Sequence, residues 1–357
     1  MELYQLSRSL LFRLPAEGAH HLTLSLAARC PQLAAPWQRA LSPRLKFQLA
    51  SLTWRTPVGL AAGLDKDAQA LEFFDRLGFG SLECGTVTLR PQAGNPKPRM
   101  FRYPAEASLR NSMGFPSRGA DVVAQRLAKR PPALPLLVNI GKSKNATPAE
   151  AIDEYAALYE KLAPLAEGVV VNISSPNTQG LRDLQQSAWL QELFAALAPL
   201  RARLKKPLAV KLAPDLEDEA LRELCRTLAE LGADALVATN TTHIPERGVG
   251  GVSGRLLRVK AHQKRKVVLD VSQETKLPVI GVGGIESMSD VWALWAQGGS
   301  AFQVYTSFVY QGPPLLLKLE GEMLAFLERA KLPDLASFFA LSPSERQKLI
   351  AAFATHR

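Results

Sequence analysis

From about residue 55 onward the chain alternates between short, unbroken apolar runs and longer segments whose apolar positions recur every third or fourth residue. The short runs are Val58–Ala62, Ser81–Val87, Leu136–Ile140, Gly168–Ile173, Leu208–Leu212, Ala235–Thr239, Val279–Val282 and Ala301–Tyr305. Apolar runs without polar alternation predict strands buried on both faces. The longer pieces, such as Ala149–Ala163, Gln185–Leu204 and Asp218–Leu231, predict amphipathic helices. Strand and helix in alternation imply parallel pairing through crossovers. Eight such units predict an α/β fold of the (β/α)8 (TIM) barrel type, with a doubly wound open sheet as the rival architecture.

The ends of these runs are polar. In order they carry Ala61–Asp67, Gly85-Thr86, Asn139, Asn172–Thr178, Lys211, Thr239–Thr242, Gly281–Gly284 and Tyr305-Thr306. The fourth end is the richest: Val169-Val170-Val171 stops abruptly in Asn172-Ile173-Ser174-Ser175-Pro176-Asn177-Thr178, and Pro176 blocks any continuation of the ladder. Two amides there surround a hydroxyl able to act as base or nucleophile. Taken alone, such a segment also reads as an Asx-rich turn. In a barrel, however, all eight ends converge on one rim, where this fold places its chemistry.

The flanks differ in character. Leu3, Leu6, Leu10 and Leu11, with Tyr4 and Phe12 beside them, predict a helix with one apolar stripe, stopped near Pro15. A second amphipathic stretch runs from His20 to about Cys30. Either can dock on the barrel or lie on a membrane surface, with Arg8, Arg13 and Arg29 as the basic groups. After Gly312-Pro313-Pro314 come a helix over Leu315–Ala330, the segment Leu332–Leu341, and a last helix opened by Ser342-Pro343-Ser344-Glu345, a capping box with proline at the first helical position. The expected division is 1–45 helical, 46–330 barrel and 331–357 a helical extension without an assigned role.

A formal charge of +10 favours anionic ligands or an anionic membrane face. The basic run Lys260–Lys266 reads as the solvated face of a helix, too short and too poor in aromatics for nucleic acid. Cys30, Cys84 and Cys225 lack metal-ligand spacing and read as reduced thiols; no metal site is expected. No stretch of about 18 uncharged apolar residues occurs, and Glu2, Arg8 and Arg13 argue against a secretory signal. Gly283 and Gly284 at the seventh strand end, with Tyr305-Thr306 at the eighth, mark the usual barrel phosphate site. Lys211 is placed to stabilise an anionic ring system, and Lys66 with the asparagines to clamp a carboxylate. The bland alternative for each lysine is an ion pair with Asp65 or Asp215.

The motifs AAGLDKD, GTVTLRPQAGNPKPRMFR, NSMGFPS, NIGKSK, NISSPNTQGLR, KLAPD, TNTT, GVSGR and GVGGIES run in this order over roughly residues 1–325. They resemble class 2 (membrane-associated, quinone-dependent) dihydroorotate dehydrogenase. The resemblance implies FMN, oxidation of dihydroorotate to orotate in pyrimidine synthesis, and a respiratory quinone as acceptor. Carried over by motif, FMN is expected at Ala62, Gly63, Thr86, Asn139, Asn172, Lys211, Thr239, Gly254, Gly284, Tyr305 and Thr306. Substrate is expected at Lys66, Asn111, Ser112, Met113, Gly114, Phe115, Asn172, Asn177, Asn240 and Thr241. Ser175 corresponds to the catalytic base, where soluble class 1 relatives carry cysteine.

The resemblance also makes 1–45 the quinone-entrance and membrane-contact unit, with His20 and Arg102 on the quinone tunnel. It implies peripheral attachment to the cytoplasmic side of the cell inner membrane, and no nucleic-acid partner. Oxidation takes a proton from one ring carbon and a hydride from its neighbour, so a serine base needs a dry pocket and a relay, for which Thr178 and Phe115 are candidates. Ser174 is expected to point away from Ser175 and to tolerate substitution. Ser112, Pro116 and Leu256 depart from residues common in the family. The enzymatic alternative is another FMN barrel such as a tRNA dihydrouridine synthase. It calls for a cysteine in the substrate loop, where neither Cys84 nor Cys225 falls.

Overall fold

Eight parallel strands close into a barrel in chain order: Val58–Leu60, Ser81–Val87, Leu136–Ile140, Gly168–Asn172, Leu208–Leu212, Ala235–Ala238, Val279–Val282 and Phe302–Val304. The computed structural model describes residues 2–131, 135–174 and 187–354. The eighth strand returns to the first through Val304↔Leu60, so no open edge remains and the doubly wound alternative falls. Each strand lies within its expected run because these residues face the barrel interior on one side and the helical ring on the other. Helices Pro148–Leu162, Ser187–Leu204 and Asp218–Glu230 begin and end close to their expected bounds. Register matters for the site: Asn172 pairs with Lys211, which puts an amide and a cation side by side on the inner face at the rim.

Toward its base the interior is apolar. Leu137, Val170, Ala209, Ala235, Val237 and Ile280 fill it, and Phe47, Leu49 and Trp54 join the same cluster. The last three belong to a hairpin, Phe47–Leu49 with Leu52–Trp54, that plugs the base of the barrel. The Phe339 ring packs edge-on to Phe47 at 5.0 Å, which gives the C-terminal extension a place in the fold. Its short helix Leu335–Phe339 also sets Phe338 against Trp295 and Phe326, and Phe353 of the last helix meets Trp292. The capping box holds: Ser342 N–H donates to Glu345 at 2.9 Å and Glu345 N–H donates back to Ser342 Oγ at 3.4 Å. Buried Arg346 donates to the carbonyls of Leu341 and Gly299, tying the extension to the barrel body.

A second sheet had no counterpart among the expected strands. Met100–Tyr103, Ser108–Asn111, Thr242–His243 and Gly251–Gly254 pair antiparallel above the rim. These strands are short and polar, so nothing in their local pattern announced them.

The N-terminal helices, Glu2–Leu11 and Ala16–Arg29, dock on the barrel by one face and leave leucines exposed on the other. Inward, the Tyr4 hydroxyl donates to the Val309 carbonyl at 2.7 Å and Arg8 to the Tyr310 carbonyl at 2.7 Å. Arg8 therefore serves the docking face and is not free for lipid, whereas Arg13 and Arg29 are exposed. Outward stand Leu3, Leu6, Leu10, Leu14, Leu22, Leu26 and Leu33, from 41% exposed at Leu14 to 67% at Leu6. No described helix is long and apolar enough to cross a membrane.

A buried ion pair pins the second helix. Arg99 Nη2 donates to Glu17 Oε1 at 2.8 Å while Arg99 Nη1 donates to the carbonyls of Ala93 and Asn95. Burial pushes the Glu17 carboxyl up, but the Arg99 hydrogen bonds and charge outweigh it and hold the group below its ordinary value. Its contribution is therefore present above the ordinary glutamate range and is lost as pH falls through the lowered value. Glu17→Gln should cost about 3 kcal/mol by orphaning Arg99. Denaturant unfolding at neutral pH checks this, and an unchanged midpoint would contradict it.

Candidate active site

At the rim, the polar strand ends line two adjoining cavities. Ala62, Lys211, Asn240, Thr241 and Tyr305 line both, so they are two halves of one site. One half continues over Thr239, Ser253, Gly254, Gly283, Gly284 and Thr306. The other continues over Gly63, Lys66, Thr86, Asn111, Met113, Gly114, Phe115 and Asn172. The first collects residues expected at a phosphorylated cofactor; the second joins residues expected at substrate to Gly63 and Thr86, which were expected at the cofactor.

The first half is a backbone cradle. Gly284 has φ +69°, and a Cβ there would lie 2.4 Å from Arg258 Cα; at Gly254, φ +84°, it would lie 2.6 Å from Thr306 Cγ2. A side chain at either position would collide with the packed protein behind it, so glycine is required for the backbone to run this close to helix Arg255–Thr275 and to Thr306. Lys211 reaches into both halves and is nearly buried. The ion pairs offered as alternatives are not made. Asp215 is taken by Lys260 and Thr242, and Asp65 accepts the backbone N–H groups of Gln69 and Ala70, both at 2.8 Å. Glycine cradle and unneutralised cation together fit a phosphorylated, ring-bearing anion such as a flavin nucleotide.

Lys66 sits in the other half. Burial pushes its ammonium down to about 8, with the positive charges of Lys211 and Arg99 pushing the same way and Asp67 resisting. Two mutually repelling cations in one cavity are costly unless an anion joins them. Burial also raises Asp65 to about 6, against the pull of its two backbone donors.

Behind the cavities runs a chain of hydrogen bonds with a fixed direction. Gln303 Nε2 and Asn139 Nδ2 donate to the two oxygens of Glu83 at 2.6 and 2.7 Å. Thr86 Oγ1 donates to Asn139 Oδ1 at 2.6 Å, and Asn172 Nδ2 to Thr86 Oγ1 at 2.9 Å. Ser174 Oγ donates to Asn172 Oδ1 at 3.1 Å, and Asn240 Nδ2 to Ser174 Oγ at 3.0 Å. A carboxylate only accepts, so Glu83 forces the sense of every amide and hydroxyl in the series.

This chain corrects one expectation and refines another. Ser174 is fully buried and bonded on both sides, so it is not the tolerant neighbour it was expected to be. Asn139 lies a layer below the cofactor half, orienting Thr86 and lining neither cavity. Ser112 also lines neither, and its backbone braces the loop instead: its N–H donates to the Arg99 carbonyl at 2.9 Å and its carbonyl accepts from Asn95 at 3.0 Å. Gln92 Nε2 supports the same loop through the Phe115 carbonyl at 2.8 Å.

His20 is half-buried and lines neither cavity; burial pushes it down to about 4, with the Lys66 charge as the next cause, which favours the neutral ring. Arg102, the other residue expected on the quinone path, closes the turn between the two N-terminal helices, donating to the carbonyls of Leu11 and Leu14 with its guanidinium 4.6 Å from the Phe12 ring centroid. Ser175, Asn177 and Thr178 lie outside the described residues.

Sequence reasoning missed Glu83 and Gln303, although a carboxylate and an amide inside otherwise apolar strands were a legible anomaly. It also misjudged the Lys260–Lys266 run. Helix Arg255–Thr275 turns Arg265 inward, 3% exposed, while Lys264 pairs with Asp218. Leu257, Ala261, Arg265 and Val268 share helical spacing and are all buried, so the signal was present.

A phosphate cradle beside a cationic ring pocket at the rim of a (β/α)8 barrel defines a barrel enzyme of the flavin type. Residues 44–327 match the family model described as dihydroorotate dehydrogenase. A relative from Gloeobacter violaceus, named dihydroorotate dehydrogenase (quinone), is 42% identical over 344 residues, 92% of this chain and 96% of its own. One of the same name from Alkalilimnicola ehrlichii is 41% identical over 338 residues, 89% and 98% of the two chains. The crystal structure of the Eimeria tenella dihydroorotate dehydrogenase in complex with ferulenol superposes with a TM-score of 0.82 at 35% identity, covering 90% of this chain and 94% of that one. The chain belongs to the dihydroorotate dehydrogenase family.

Proposed function

We propose that this chain oxidises (S)-dihydroorotate to orotate and passes the electrons to a respiratory quinone, the pyrimidine-synthesis step of the quinone-dependent branch of its family. The observation that carries the reading is the shared cavity, where Lys66 and Lys211 form no ion pair among the described residues and stand between a glycine cradle and an amide-lined pocket. The family is flavin-dependent, and the fit favours FMN, whose phosphate the Gly254, Gly284 and Thr306 backbone would hold. Ala62, Gly63, Thr86, Thr239 and Tyr305 would surround the ring system, Lys211 would face its electron-rich edge, and Asn139 would act from behind. Bound there, the flavin supplies the two-electron acceptor.

The protein's own part is to hold substrate and move a proton. Lys66 would pair with the substrate carboxylate, and Asn111, Met113, Gly114, Phe115, Asn172, Asn177, Asn240 and Thr241 would fix its ring. Ser175, next after the bonded Ser174, would take the proton. Cys84 and Cys225 are buried, with their thiols pushed up by that burial, and line neither cavity. This removes the support for a dihydrouridine-synthase reading. The outward leucines of 1–45 would rest on the cytoplasmic face of the inner membrane and receive the quinone, with neutral His20 on its path. We read 46–330 as the catalytic unit and 331–357 as a brace.

Lys66 gives the reading a pH signature. Only the protonated amine attracts a carboxylate, so orotate affinity is expected to be highest below about pH 8 and to fall as pH rises past it. Lys66→Met should weaken binding and flatten that dependence; calorimetric titration across this range checks it. The function itself is tested by dihydroorotate-dependent quinone reduction with the purified, detergent-dispersed protein. Turnover with quinone supports the reading, and absence of turnover with any quinone overturns it.

A further inference from the structure

Behind the glycine cradle stands a cation that no part of the proposed mechanism uses. Arg265, on helix Arg255–Thr275, is 3% exposed and forms no ion pair among the described residues. Its Nη1 donates to the carbonyl of Val282 at 2.7 Å and to that of Gly283 at 2.6 Å. Each of those carbonyls belongs to the same peptide plane as the next residue's N–H. The two peptides are therefore the ones whose N–H groups belong to Gly283 and Gly284, both of which line the cofactor half of the site. Asp290, the acidic group whose charge Arg265 feels, is engaged by Arg258 Nε at 2.7 Å and by the Ser287 cap.

We propose that Arg265 is a positioning residue for phosphate: it fixes the two cradle peptides, polarises their N–H groups toward the cavity and supplies a positive charge behind them. The inference rests on the FMN reading above. Three physical effects act together. A hydrogen bond accepted by a carbonyl strengthens the donor at the other end of the same peptide. A buried, unneutralised guanidinium is costly until an anion binds near it. Two short bonds from one nitrogen also hold a pair of glycines that the chain would otherwise leave free. All three favour a phosphate dianion and are indifferent to a neutral isoalloxazine ring.

The test compares FMN with riboflavin, which lacks the phosphate, in full-length protein loaded with either, by the flavin fluorescence recovered on release. Arg265→Met, similar in bulk but neutral, should weaken FMN by roughly tenfold, the size of one charge acting at a partly buried site, and leave riboflavin within about twofold. Arg265→Lys, keeping the charge, should recover most of the FMN affinity. Equal weakening of both flavins by Arg265→Met would make Arg265 a strut between helix and strand and overturn the proposal. So would an insoluble Arg265→Met beside a soluble Arg265→Lys, because the charge would then serve folding. A wild-type protein without preference for FMN over riboflavin would instead overturn the FMN reading itself, and the inference with it.

Discussion

Replacing Ser175 with alanine should slow flavin reduction by dihydroorotate by roughly 10²–10⁴-fold, the usual worth of a positioned base, while FMN and orotate still bind. The argument is one of position. The amide chain that starts at Glu83 runs through Asn172, which lines the substrate half of the site, to Ser174 and Asn240, and Ser175 is next in sequence. Asn172 and Asn240 hold Ser174 from both sides. Stopped-flow reduction under anaerobic conditions reads the effect directly. A variant that reduces its flavin at the wild-type rate would remove Ser175 from the mechanism. Ser174→Ala should also be impaired, in contrast to the tolerance its sequence position alone suggested, because Asn240 would lose its acceptor.

The second large effect is expected at the membrane. Leu6→Glu together with Leu10→Glu should weaken binding to anionic vesicles by roughly 10²–10⁴-fold, since each leucine buried in an interface contributes about 1.5–3 kcal/mol. Both side chains point outward, 67% and 64% exposed, so the fold should be undisturbed. Turnover of dihydroorotate with a small water-soluble acceptor should continue, while transfer to a long-tailed quinone in vesicles collapses. Undiminished vesicle binding would show that the apolar stripe is not the contact face. Removing the whole helical pair is a poorer experiment, because it would bare Arg99 and the docking face of Tyr310.

The barrel was legible because parallel strands buried on both faces must be unbroken apolar runs, and the crossover helices between them carry their own period. Lys66, Lys211 and the strand-end asparagines were legible for the complementary reason that, Glu83 and Gln303 apart, polar groups gather where the apolar runs end at the rim. The antiparallel sheet above the rim was not, because strands such as Ser108–Asn111 and Gly251–Gly254 are stabilised by partners far away in sequence. Arg265 was misjudged because a run of basic residues suggests water, whereas its spacing from Leu257, Ala261 and Val268 already marked the inner face. The double use of the N-terminal helix could not be read from its stripe alone. Tyr4 and Arg8 turn inward only because the barrel presents the carbonyls of Val309 and Tyr310 to them.

The most direct test of the account is an anaerobic titration of the purified, full-length protein, followed through the visible absorbance of its flavin. Addition of dihydroorotate should bleach that absorbance, and subsequent addition of a quinone should restore it. An absorbance that dihydroorotate leaves unchanged, or one that a nicotinamide cofactor restores and a quinone does not, would contradict it.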